Sequence, residues 1–214
     1  MPWYRISLIV LLSGCAGVLV AKIDSWRALR DPLNGPLCFD VPCPHFITRM
    51  SAIESVIAQQ SGGPNYLVIG DSITEFAELQ SICGRKPINA GIGWATSETF
   101  QMHGARLAAL LKPDFIVVAL GTNDANRSKA GFREHISALL MSLKDYPIVV
   151  VPIPEGHGVS KAAEYNATLN QFGPLAQPLA SFQSTDDGVH LAPSAYPMWK
   201  GSIRIAIEEL VCPT

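Results

Sequence analysis

Short apolar runs alternate with longer stretches of helical period along most of this chain. Tyr66–Ile69, Phe115–Leu120 and Ile148–Val151 are almost unbroken apolar segments, the pattern of strands buried on both faces. Pro87–Ala90 reads as a weaker strand and Leu179–Gln183 as a poor fifth. Between and around them, apolar spacing and turn residues predict helices over Ile47–Gln60, Thr74–Gln80, Ser97–Leu111, Ala130–Leu143, Ala162–Phe172 and about Ser194–Leu210. Such strands alternating with helices imply an α/β domain: a parallel sheet of about five strands, covered on both faces. Ligands in this architecture bind at the carboxyl ends of the strands.

The pattern changes towards the N-terminus. Ile6 to Ala21 carry no charge and are bounded by Arg5 and Lys22, with Trp3 and Tyr4 suited to a membrane interface. Residues 1–22 are therefore expected to be a signal or anchor segment, retained or cleaved. Leu12-Ser13-Gly14-Cys15 resembles a bacterial lipobox, although the chain stays apolar beyond Cys15. Flanking charges leave the orientation open. Residues 23–63 read as a connector with one helix, broken by Asp31-Pro32, Asn34-Gly35-Pro36 and Pro42-Cys43-Pro44. The main domain is expected over 64–214. Membrane-anchored or exported protein, with an extracytoplasmic domain, is the expected location.

Composition narrows the partners. Hydrophobic residues make up 48% and charged residues 16%, with a formal net charge of −2 and no block of like charge. Nothing here suits nucleic acid. Cys38, Cys43, Cys83 and Cys212 form an even set compatible with an oxidising compartment, with three possible pairings. No zinc-type spacing or phosphate-binding loop is present, so no metal or cofactor is expected.

Four polar clusters follow the predicted strands: Gly70-Asp71-Ser72, Asn89-Ala90-Gly91-Ile92-Gly93-Trp94, Gly121-Thr122-Asn123-Asp124 and Asp187-Gly188-Val189-His190. The topology can bring all four to one crevice. A serine hydroxyl is a poor nucleophile until a base takes its proton. His190 is the candidate base for Ser72, and Asp187 the group that orients it. The Asn123 side-chain amide is a candidate donor to a tetrahedral oxyanion, and the Gly91–Trp94 turn can supply a backbone donor.

These blocks resemble the SGNH hydrolases, also called GDSL-type esterases and lipases, over about residues 65–205. The resemblance implies a flavodoxin-like three-layer α/β/α sandwich and a cofactor-independent serine esterase. It casts Ser72 as nucleophile, His190 as base and Asp187 as its orienter. The oxyanion hole would comprise Ser72, Asn123 and the position of Trp94. That position departs from the family, which usually reads Asn-x-Gly-Ile-Gly-Gly. An indole there would line or crowd the acyl pocket. A narrowed crevice points to a small-molecule or carbohydrate acyl ester, such as an acetylated sugar.

Rival readings follow from the same residues. A thioesterase, a lysophospholipase or an acyltransferase would use the same groups, and a catalytically silent membrane-attached binding module would keep only the fold. Ser72 alone could be a helix cap. Asp71 and Asp124 read as structural acceptors for loop N–H groups. Asp186 is one residue too far from His190 for the family spacing. His157 reads as a loop residue near the crevice, and His45, His103 and His135 as solvated or capping residues.

Overall fold

The computed structural model describes residues 37–38, 41–60, 62–126, 131–156, 158–178, 185 and 187–212. The expected signal or anchor segment and the Leu179–Gln183 strand lie outside the described residues. Among the described residues, no helix is long and apolar enough to cross a membrane.

The elements begin with a two-residue hairpin, β1 (Leu37–Cys38) and β2 (Val41–Pro42), and α1 (Cys43–Gln60). Next come β3 (Asn65–Gly70), α2 (Ser72–Glu75), β4 (Lys86–Gly91), α3 (Ser97–Leu111) and β5 (Phe115–Ala119). The chain closes with α4 (Thr122–Asn126), α5 (Phe132–Ser142), β6 (Ile148–Val150), α6 (Ala162–Leu169), a 3-10 turn at Pro193–Ala195 and α7 (Tyr196–Val211).

The main sheet is parallel, in the order β4-β3-β5-β6. Alternating strand residues serve two cores. Leu67, Ile69, Ile116 and Val118 face a layer built from α1, α3, α5 and α6. Tyr66, Val68, Phe115 and Val117 face the opposite layer, where α7 contributes Trp199, Ile203 and Ile207. This is the expected three-layer α/β/α sandwich with flavodoxin-like strand order. The sheet has four strands rather than about five. Its β6 edge is extended by a single parallel bridge from Val150 to Leu175, earlier in the chain than the predicted fifth strand.

Two local differences bear on the site. The helix expected over Thr74–Gln80 is one turn, Ser72–Glu75. The side-chain amide of Asn89 donates to the carbonyls of Thr74 and Ala77, at 2.7 and 3.1 Å, occupying acceptors that a longer helix would need. The connector helix, α1, packs Phe46, Met50, Ile53 and Ile57 into the first core. Their spacing of three and four residues is the apolar stripe of a core-facing helix.

Candidate active site

β3 lies between β4 and β5, and the chain leaves β3 for one neighbour and returns to the other. A crevice opens at the carboxyl end of such a switch point. Ser72 follows β3, the Gly91–Trp94 turn follows β4, and Asn123 follows β5.

Ser72 is placed by a tight strand-to-helix turn. Asp71 caps α2 by accepting the Ile73 N–H at 3.0 Å. Gly70 is required there, because a Cβ would stand 1.9 Å from the Thr74 hydroxyl oxygen. Asp71 is buried, and burial pushes its carboxyl up to about 6.

The Ser72 Oγ lies 2.8 Å from His190 Nε2, although 118 residues separate them in sequence. His190 Nδ1 lies 2.6 Å from Asp187 Oδ2. The other Asp187 oxygen accepts three bonds, from the Thr185 hydroxyl and the N–H groups of Val189 and His190. Thr185 is the largest cause holding this carboxyl well below the usual carboxylate range; the bonds from His190 and Val189 act in the same direction. An ionised carboxylate only accepts, so the proton of a neutral His190 sits on Nδ1 and the Nε2 lone pair faces the Ser72 hydroxyl. The three residues therefore form one hydrogen-bonded chain with the polarity needed to take a proton from Ser72. Gly158 backs this loop: its N–H donates to Gly188 O at 2.9 Å, and a Cβ would sit 2.7 Å from Asp187 O.

Asn123 is buried, and its Nδ2 donates to Ala95 O at 2.9 Å. That bond ties α4, the short helix after β5, to the β4 turn, and the amide carries a second N–H. The turn is closed by Ala95 N–H to Ile92 O at 3.1 Å. Trp94 holds its third position with φ 69, the left-handed conformation that glycine usually supplies. The residue is 48% exposed.

Asp124 is structural, accepting the backbone N–H and hydroxyl of Ser97. His45 is not simply solvated: its Nε2 lies 3.1 Å from Glu75 Oε2. His157 and Asp186 lie outside the described residues. The sequence reading missed Thr185, Glu75, Arg49 and the exposed Phe76, whose ring centroid is 5.7 Å from that of His190. Only Phe76 carried a signal, as an aromatic four residues after Ser72. A cavity of about 290 Å³ lies elsewhere, between Tyr66 and Val68, the Leu79–Ile82 segment and α7.

The domain is thus a three-layer parallel α/β sandwich that brings Ser72, His190 and Asp187 within hydrogen-bond reach of one another beside the carboxyl end of its sheet. Over residues 68–201 the sequence matches the GDSL-like lipase/acylhydrolase family, and the chain belongs to that family of ester hydrolases. Among solved structures, a lipase/acylhydrolase from Enterococcus faecalis is 18% identical, with a TM-score of 0.55 over 71% of this chain and 100% of the other. A GDSL-like lipase from Bacteroides thetaiotaomicron is also 18% identical, with a TM-score of 0.60 over 74% and 97%. The acetylxylan esterase Axe2 of Geobacillus stearothermophilus is 15% identical, with a TM-score of 0.55 over 69% and 95%. No curated protein matches the chain.

Proposed function

We propose that this protein hydrolyses acyl esters through an acyl-enzyme on Ser72. The observation that carries the reading is the continuous Ser72–His190–Asp187 hydrogen-bond chain, at 2.8 and 2.6 Å. Ser72 Oγ attacks the ester carbonyl as its proton passes to His190 Nε2. Asp187 stabilises the imidazolium that forms. The tetrahedral oxyanion is met by the second N–H of Asn123 and by the backbone N–H groups of Ser72 and Trp94. Collapse expels the alkoxide, which takes the proton from His190. A water molecule, deprotonated by the same imidazole, then releases the acid and restores Ser72.

Small acyl groups such as acetyl on a carbohydrate are the substrates this reading favours. It draws on Trp94 standing where the family usually has glycine, and on the fold shared with an acetylxylan esterase. Phe76, exposed beside His190, offers a flat apolar face near the departing alcohol. We further propose an exported or membrane-attached protein, with residues 1–22 as leader or anchor. The Cys83–Cys212 disulfide suits an oxidising compartment.

Purified protein is expected to release p-nitrophenol from p-nitrophenyl acetate and to be labelled on Ser72 by a fluorophosphonate. Turnover by Ser72→Ala equal to wild type would overturn the assignment. Absence of labelling in a folded protein would favour a silent binding module.

A further inference from the structure

The turn that follows β4 is held from outside by three charged or polar side chains that the reaction scheme above does not use. Glu75 Oε2 accepts the Gly93 N–H, and His45 Nε2 lies 3.1 Å from the same oxygen. Glu75 Oε1 is 3.6 Å from Arg49 Nε. Arg49 also donates to Gly91 O at 2.8 Å and to Asn89 O at 3.1 Å. His45 and Arg49 are one turn apart on α1, outside the segment that matches the family. Glycine at 93 lets this cluster reach the backbone: a Cβ there would stand 3.1 Å from Glu75 Oε2 and 3.2 Å from His45 Nε2.

The next residue is Trp94, at φ 69. A left-handed backbone is disfavoured for any residue with a side chain, so something must hold it. Fixing the Gly93 N–H fixes the orientation of the peptide plane that enters the turn. Glu75 closes the one-turn helix that Ser72 opens. A single carboxylate therefore links the element carrying Ser72 to the turn carrying Trp94.

We propose that Glu75, clamped by His45 and Arg49, is a positioning residue that keeps Trp94 left-handed and sets the direction of its backbone N–H towards the oxyanion. This inference rests on the hydrolase reading and on Trp94 as a donor.

The test compares Glu75→Ala and Glu75→Gln in the wild-type and Trp94→Gly backgrounds. It measures p-nitrophenyl acetate hydrolysis and binding of an alkyl trifluoromethyl ketone, which forms a tetrahedral adduct. With Trp94 present, Glu75→Ala is expected to lower kcat about 10–100-fold, to weaken the ketone by a similar factor and to leave KM within about twofold. Glu75→Gln keeps an acceptor and should recover most of the loss. In the Trp94→Gly background the loss should shrink to about threefold, because glycine takes the left-handed conformation unaided. An equal loss in both backgrounds, or ketone affinity unchanged by Glu75→Ala, overturns the proposal. If Glu75→Ala does not fold, Arg49→Met serves in its place, with an expected loss of about fivefold in ketone affinity, again only with Trp94 present; no change there overturns the proposal too. Wild-type turnover independent of Ser72 would instead defeat the hydrolase reading, which the Ser72→Ala control reports separately.

Discussion

Each polar side chain at the crevice is held by a different environment. Asn123 is buried and already tied to Ala95 O, so its remaining N–H is fixed in direction before substrate arrives. Preorganised donors of this kind are worth most in the transition state. Asn123→Ala should therefore lower kcat by about 10²–10³-fold with little change in KM, read from steady-state ester hydrolysis. Asp71 and Asp187 give opposite pH signatures. Burial raises Asp71 from an ordinary 3.8 to about 6, so the folded state resists its ionisation. Its contribution is fully present below about pH 4 and is lost as pH rises to about 6, a fall of about 3 kcal/mol. Urea unfolding at steps across that window should show Asp71→Asn gaining on wild type as pH rises. Asp187 is held low by Thr185, His190 and Val189, so its contribution is present above about pH 4 and disappears in stronger acid.

At the scale of elements, α3 shows how local signals set boundaries beside the site. Its N-terminus has a capping box in which Thr96 and Thr99 satisfy each other's backbone N–H groups. Asp124 adds a second hold through Ser97, joining this helix to α4, which also carries Asn123. Its C-terminus ends on Lys112 at φ 53, a position that glycine fills more easily. The two ends predict opposite effects in thermal unfolding. Thr96→Ala should lose about 1 kcal/mol, and Lys112→Gly should gain about 0.5 kcal/mol. Among neighbouring elements, α2 stops after one turn because Asn89 captures the carbonyl of Thr74 and, just beyond the helix, that of Ala77, which leaves Glu75 at the helix end facing the β4 turn.

For the molecule as a whole, the disulfide is the longest covalent connection described. Cys83 and Cys212 are 129 residues apart in sequence, with Cα atoms 6.1 Å apart. Cys83 and Gly84 both have positive φ, forming a tight reversal between Ile82 and Arg85 that presents the cysteine to the end of α7. Closing so long a loop restricts the unfolded chain. Cys83→Ser should cost about 2–4 kcal/mol by urea unfolding, and a reductant should destabilise the wild type by a similar amount while leaving the variant unchanged. Because the bond lies away from Ser72 in the architecture, kcat of the folded variant should stay close to wild type.

The amino-acid sequence alone was enough for the layered α/β fold, because β-branched runs and helical spacing are local properties of the chain. Ser72, Asn123, Asp187 and His190 were legible for a related reason: each sits in a short block immediately beyond a strand or on a tight loop. Asp187 and His190 even lie close enough in sequence to meet through one turn. Tertiary structure alone decided the rest. The bonds from Glu75, His45 and Arg49 to the Trp94 turn join segments that no local pattern connects. Asn89 shortened α2 from a distance, α1 joined the core, and Cys83 found Cys212 among three possible pairings. Periodicity records which way a side chain faces; it carries no record of which distant atom will be waiting there once the chain has packed.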